Sequence, residues 1–175
     1  CIVIGEDLGT VPEGFRERLR DWGLWSYRVM MFERGHDGAF LSPQDYTPDA
    51  LVTFSTHDLP TYEGWRSGHD IDLKHGLGID PGESREARAQ AAAMLARAVD
   101  GDEGIYAVLG YLARARSRLL CVGIEDLLGL IDQANVPGTI DQHPNWRRRL
   151  PVALEDWPQH IDMARLRAAM GDRNA

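Results

Sequence analysis

The chain of 175 residues carries 27 acidic against 19 basic side chains, a formal charge of −8, with 43% hydrophobic residues. That balance suits a globular chain with a sizeable core and argues against nucleic-acid binding, which needs clustered cations. No apolar run approaches the ~20 residues of a membrane-spanning helix, and two cysteines build no disulfide framework, so no membrane association and a cytoplasmic location are the expectations.

The first residues, Cys1-Ile2-Val3-Ile4-Gly5, read as an apolar strand ending in Glu6-Asp7. A chain that opens inside such a strand reads as part of a longer protein. Thr10-Val11-Pro12-Glu13 has the spacing of a capping box with Pro in the first turn. Phe15, Leu19 and Trp22 then follow at helical spacing before Gly23, and Trp22 reads as core. Tyr27 to Phe32 is a second strand, and Gly35 to Pro48, rich in Gly, Pro and Asp, a loop.

Leu51-Val52-Thr53-Phe54 forms a third strand, running into Ser55-Thr56-His57-Asp58-Leu59-Pro60-Thr61. A helix starts near Tyr62, with a polar connection over Gly68 to Gly82. The clearest helix spans Glu83 to Val99, where Ala87, Ala91, Met94, Leu95 and Ala98 make one stripe; another covers Glu103 to Ala115. Leu119 to Ile124 is a fourth strand ending in Glu125-Asp126, followed by a helical turn over Leu127 to Asp132. Asn135 to Arg149 is a polar loop, and a last amphipathic helix begins at Asp162. Cys1 and Cys121 read as buried free thiols, and Arg147-Arg148-Arg149 as partners of Glu155 and Asp156.

Short, near-continuous apolar strands alternating with helices imply a parallel sheet with crossover helices, either an eight-fold barrel or an open doubly wound sheet. No Gly-rich phosphate loop follows a strand, which disfavours dinucleotide binding. In a barrel, Glu6, His57-Asp58 and Glu125-Asp126 would share the carboxyl-end rim where active sites lie. Carboxylates around one pocket are the equipment for glycosidic bond cleavage. For Asp7 a bracing role toward the following helix fits better; for Glu6 periodicity leaves bracing and catalysis equally open. A His-Asp pair also suits a metal site, but His36, His69 and His75 lack helical ligand spacing, and no metal is expected. Of five tryptophans, Trp65 and Trp146 stand beside polar loop residues and are the candidates to cover sugar C–H faces.

Ile4-Gly5-Glu6-Asp7-Leu8-Gly9, then Ser55-Thr56-His57-Asp58 with Thr61 and Gly64-Trp65, then Val136-Pro137-Gly138-Thr139 and His143-Pro144-Asn145-Trp146-Arg147, resemble the 4-α-glucanotransferases, or amylomaltases, of the α-amylase clan. The likeness runs in order from Ile4 to about Leu150. It implies an α/β fold, the C-terminal half of a (β/α)8 barrel over residues 1–175, with no organic cofactor. It implies retaining transfer of α-1,4-glucan segments between maltodextrins, with Glu6 as general acid/base, Asp58 as transition-state stabiliser, His57 on the sugar, and Asn145-Trp146 on the acceptor side. The family nucleophile, an Asp in an R-x-D-H pattern, falls on a strand before Cys1, so the 175 residues alone are expected to be inactive. Leu59-Pro60-Thr61 stands where many members have Asn or Asp-Thr, and resembles the branch with a longer N-terminal region. A hydrolase of the same clan and a non-catalytic glucan-binding fragment are the alternatives.

Overall fold

In a computed structural model describing residues 1–101 and 104–171, four short strands lie parallel and side by side in chain order. They are β1 (Ile4–Gly5), β2 (Trp25–Val29), β3 (Ala50–Thr53) and β4 (Leu119–Leu120). Ile4 pairs with Trp25, Ser26 with Ala50, and Leu51 with Leu119. Parallel neighbours taken consecutively, with the chain returning outside the sheet each time, make an arc of a (β/α)8 barrel. All four carboxyl ends therefore face the same way. The free edge of β1 is apolar, and Ile2, Val3 and Ile4 are exposed along it.

The helices are α1 (Phe15–Asp21), α2 (Tyr62–Ser67), α3 (His69–Gly76), α4 (Arg85–Ala98), α5 (Ile105–Ala113), α6 (Ile124–Leu127), α7 (Trp157–His160) and α8 (Met163–Met170). Their starts follow local chemistry. The Thr61, Ser84 and Asp162 side chains accept backbone N–H groups at the first turns of α2, α4 and α8. The core lies between the sheet and α2, α4 and α5, where Met30, Val52, Phe54, Trp65, Leu109 and Leu112 are buried. Each such side chain contributes on the order of 2 kcal/mol through burial. Phe54 anchors it with edge-on contacts to Tyr62 and Trp65, ring centroids 5.4 and 5.8 Å away.

Several expectations are corrected. The capping box at Thr10 is unused: α1 starts after Gly14, in the left-handed region at φ 74°, with no side-chain cap. Trp22 is 74% exposed rather than core, because it sits at the helix end, where the chain turns at Gly23 and only Leu19 is tucked inward. The second strand begins earlier and stops at Val29, since Trp25 has a partner in β1 whereas Phe32 turns back, its N–H on the Val29 carbonyl at 2.9 Å.

The polar connection after Gly68 contains α3, held by the burial of Ile71 and by Asp70, whose carboxylate takes both Arg88 nitrogens at 2.7 and 2.9 Å. The expected start of α5 at Glu103 lies outside the described residues. β4 ends after two residues, so Glu125 and Asp126 stand in the first turn of α6, not at a strand end. Arg147 and Arg148 pair with Asp141 and Asp132, at 3.5 and 2.8 Å, not with Glu155 and Asp156. Both cysteines are exposed, Cys121 because it follows the last residue of β4 onto the rim.

Candidate functional site

Three chain segments meet at the carboxyl-end rim. Glu6 follows β1, the Ser55–Thr61 segment follows β3, and the segment from Cys121 to Asp126 follows β4. Between the second and third of these segments lies a cavity of about 210 Å3, whose lining includes Tyr27, Thr56, His57, Cys121, Asp126 and Trp146 but neither Glu6 nor Asp58. A second cavity of about 750 Å3 adjoins it, shares Glu125, Ala134 and Trp146, and runs on to Arg148 and Leu150.

Glu6 is exposed on this rim, while the next residue is fully buried. The Asp7 carboxylate accepts the Tyr27 backbone N–H at 2.9 Å and Arg16 Nε at 3.0 Å, with Arg28 at 3.7 Å. Asp7 is thus the brace that sequence suggested, and it ties the turn carrying Glu6 to β2. Burial first, then the nearby Cys121 thiol and Glu6 carboxylate, push the Tyr27 phenol above its ordinary value. Glu6 and Asp58 follow β1 and β3, with β2 between them. Glu6 comes directly after β1, whereas Asp58 lies in the turn five residues past the end of β3.

Asp58 and His57 lie together, His57 Nε2 being 3.4 Å from Asp58 Oδ1, and both are half exposed. The His57 ring meets Trp146 at a centroid distance of 5.0 Å. Trp146 is 65% exposed and has φ 60°, a left-handed conformation rare for a tryptophan; its N–H is held on the Ala134 carbonyl at 3.1 Å. Backbone strain of about 1 kcal/mol or more at such a position is characteristic of functional sites.

The other two expected site residues are placed differently. Trp65 is only 4% exposed, packed against Phe54 and beneath the Arg88 guanidinium, so it belongs to the core and not the cleft. Its place on α2, one turn after Tyr62, turns it inward. Asn145 accepts the Val136 N–H at 3.0 Å and donates to Thr139 Oγ1 at 2.7 Å, so its amide braces the loop.

Sequence reading missed Tyr27 and Asn135. Asn135 Nδ2 donates to Asp58 Oδ1 at 2.6 Å across 77 residues of chain. Its one signal was adjacency to the Val136-Pro137-Gly138-Thr139 motif. Asp126, nearly buried, accepts the Tyr62 N–H at 2.6 Å. Burial raises its pKa to about 6; the Tyr62 hydrogen bond opposes this, and Glu125 and Glu63 add to it. Among the described residues no group of three or more His, Cys, Asp or Glu side chains could hold a metal ion, and no helix is long and apolar enough to cross a membrane.

A parallel α/β arc whose strands are followed by carboxylates, an imidazole and an exposed indole beside a cleft has the layout of a (β/α)8 barrel rim. The chain belongs to the 4-alpha-glucanotransferase family, glycoside hydrolase family 77, whose model matches residues 1–155. It is 36% identical to the 4-alpha-glucanotransferase of Mycobacterium tuberculosis over 89% of this chain and 25% of that protein. It is 32% identical to the Haemophilus influenzae enzyme of the same name, over 88% of this chain and 25% of that one. The amylomaltase structure from Corynebacterium glutamicum superposes with a TM-score of 0.83 at 28% identity, covering 97% of this chain and 28% of that one. The Streptococcus agalactiae amylomaltase in complex with acarbose, at 21% identity and a TM-score of 0.67, shares the fold. The chain spans about a quarter of the length of the curated relatives named here.

Proposed function

We propose that these residues form the acid/base half of a 4-α-glucanotransferase site that moves α-1,4-glucan segments between maltodextrins in the cytoplasm, without metal or organic cofactor. The observation that supports the reading is the common direction of parallel β1 and β3, whose following segments carry Glu6 and Asp58, with His57, next to Asp58, in the cavity wall. Glu6 protonates the leaving glycosidic oxygen and then takes the proton from the 4-hydroxyl of the acceptor. Asp58 stabilises the positively charged sugar through its hydroxyls, and His57 and Trp146 form the wall against which the ring sits.

The nucleophile belongs to a strand outside these 175 residues, one that pairs along the apolar free edge of β1. The exposed Ile2, Val3 and Ile4 fit such a neighbour better than they fit water. The test is made in the full-length protein that carries this chain. Glu6→Gln keeps the shape but holds no exchangeable carboxyl proton, and should lower glucose release from maltotriose by about 10²-fold or more. Release at the parent rate would remove Glu6 from the mechanism.

A further inference from the structure

We propose that Asn135 is a positioning residue, whose side-chain amide locks the Asp58 carboxylate so that one oxygen is held by the protein and the other is left for the sugar. This rests on the role given to Asp58 above. Among the described residues, both polar contacts with that carboxylate fall on the same oxygen: Asn135 Nδ2 at 2.6 Å and His57 Nε2 at 3.4 Å meet Oδ1. Oδ2 is the atom left to face a ligand. A half-exposed aspartate after a strand end otherwise turns freely about χ1 and χ2. A short charge-assisted hydrogen bond on one oxygen removes most of that freedom.

Asn135 can act as a lock because it is itself fixed from several sides. Its backbone N–H donates to the His57 carbonyl at 3.1 Å, the residue next to its target. Its carbonyl accepts Nε2 of the buried Gln133 at 2.6 Å. Gln133 in turn presents its carbonyl to Nε2 of the buried His143, at 3.4 Å. On either side, the Ala134 carbonyl holds the Trp146 N–H and the Val136 N–H is held by Asn145. The loop from Gln133 to Trp146 therefore fixes two things together, the indole beside His57 and the orientation of Asp58.

Kinetics of maltotriose transfer by the full-length protein, with melting curves of each variant, decide the matter. Asn135→Ala should lower kcat by 10- to 100-fold with KM changed less than about threefold, because a misplacement near 1 Å is felt mainly in the transition state. Asn135→Asp is the discriminating variant. It keeps the size of the side chain and the backbone hydrogen bonds, but sets a second carboxylate against Asp58 where a donor stood. It should be worse than Asn135→Ala and should melt lower than the parent, whereas in an Asp58→Asn background that loss of melting temperature should vanish.

A loop-packing role predicts the opposite order, with the isosteric variant milder than the alanine. That order, or the same melting penalty in both backgrounds, overturns the proposal. A parent protein that makes no transfer products would instead overturn the glucanotransferase reading; the melting comparison between backgrounds then still decides whether Asn135 holds Asp58.

Discussion

The Asp7 carboxylate holds the Tyr27 backbone N–H at 2.9 Å, so the residue after Glu6 is fastened to the strand beside it. With Arg16 and Arg28 on its other side, this fully buried aspartate sets where the β1 turn points Glu6. Asp7→Ala should leave the Tyr27 N–H without its acceptor, while Arg28 keeps Glu33 at 3.5 Å, destabilising the fold by on the order of 2 kcal/mol. Asp7→Asn, which keeps an acceptor for Tyr27, should cost less. Denaturant midpoints of the two variants check the order.

Asp126 makes stability depend on pH. Its folded-state pKa of about 6 lies above the ~3.9 of an unfolded aspartate, so the unfolded chain releases this proton first. The group's contribution therefore weakens the fold as pH rises from about 4 to 6 and is constant above that. Asp126→Asn can still accept the Tyr62 N–H without becoming charged. It should raise stability at pH 7 by on the order of 2 kcal/mol relative to its effect at pH 4. Unfolding curves at both pH values read the difference; an equal effect at the two would contradict the assignment.

Gly64 and Gly110 should respond in opposite ways to alanine. A Cβ on Gly64 would overlap the Ile131 carbonyl oxygen and press on Thr61 Oγ1, the hydroxyl that caps α2 and donates to Leu130. Gly64→Ala should cost about 2 kcal/mol and loosen the loop that lines the second cavity. Within α5, a Cβ on Gly110 meets no atom closer than the flexible Arg114 guanidinium at 4.0 Å. Gly110→Ala should add about 0.5–1 kcal/mol through helix propensity. Melting temperatures of the pair test both signs.

What sequence could and could not reveal follows from where the determining interactions lie. β3 and α4 were legible because their signals are local: an apolar run into a polar turn, and an alanine stripe behind Ser84. α3 was not, since its sequence is polar and its order comes from Asp70 meeting Arg88 on another helix. The polar neighbours of Trp65 point to the cleft, but three residues after Tyr62 on a helix it shares that residue's inward face. The partner of Asp58 was invisible for the same reason as α3: Asn135 is brought to it by the fold, and no spacing rule spans 77 residues.

Transfer without net hydrolysis is the central claim, and it is measured most directly by incubating the full-length protein with maltotriose and following chain lengths and reducing ends together. A covalent glycosyl-enzyme is open to both water and sugar. With the proposed roles of Trp146 and Glu6, an acceptor held along the indole with its 4-hydroxyl at Glu6 would have an effective concentration high enough to outcompete water at about 55 M. Glucose and a ladder of maltodextrins longer than three units should accumulate while reducing ends stay nearly constant, because transfer conserves glycosidic bonds. Reducing ends rising in step with maltotriose loss, with no product longer than the donor, would contradict the account.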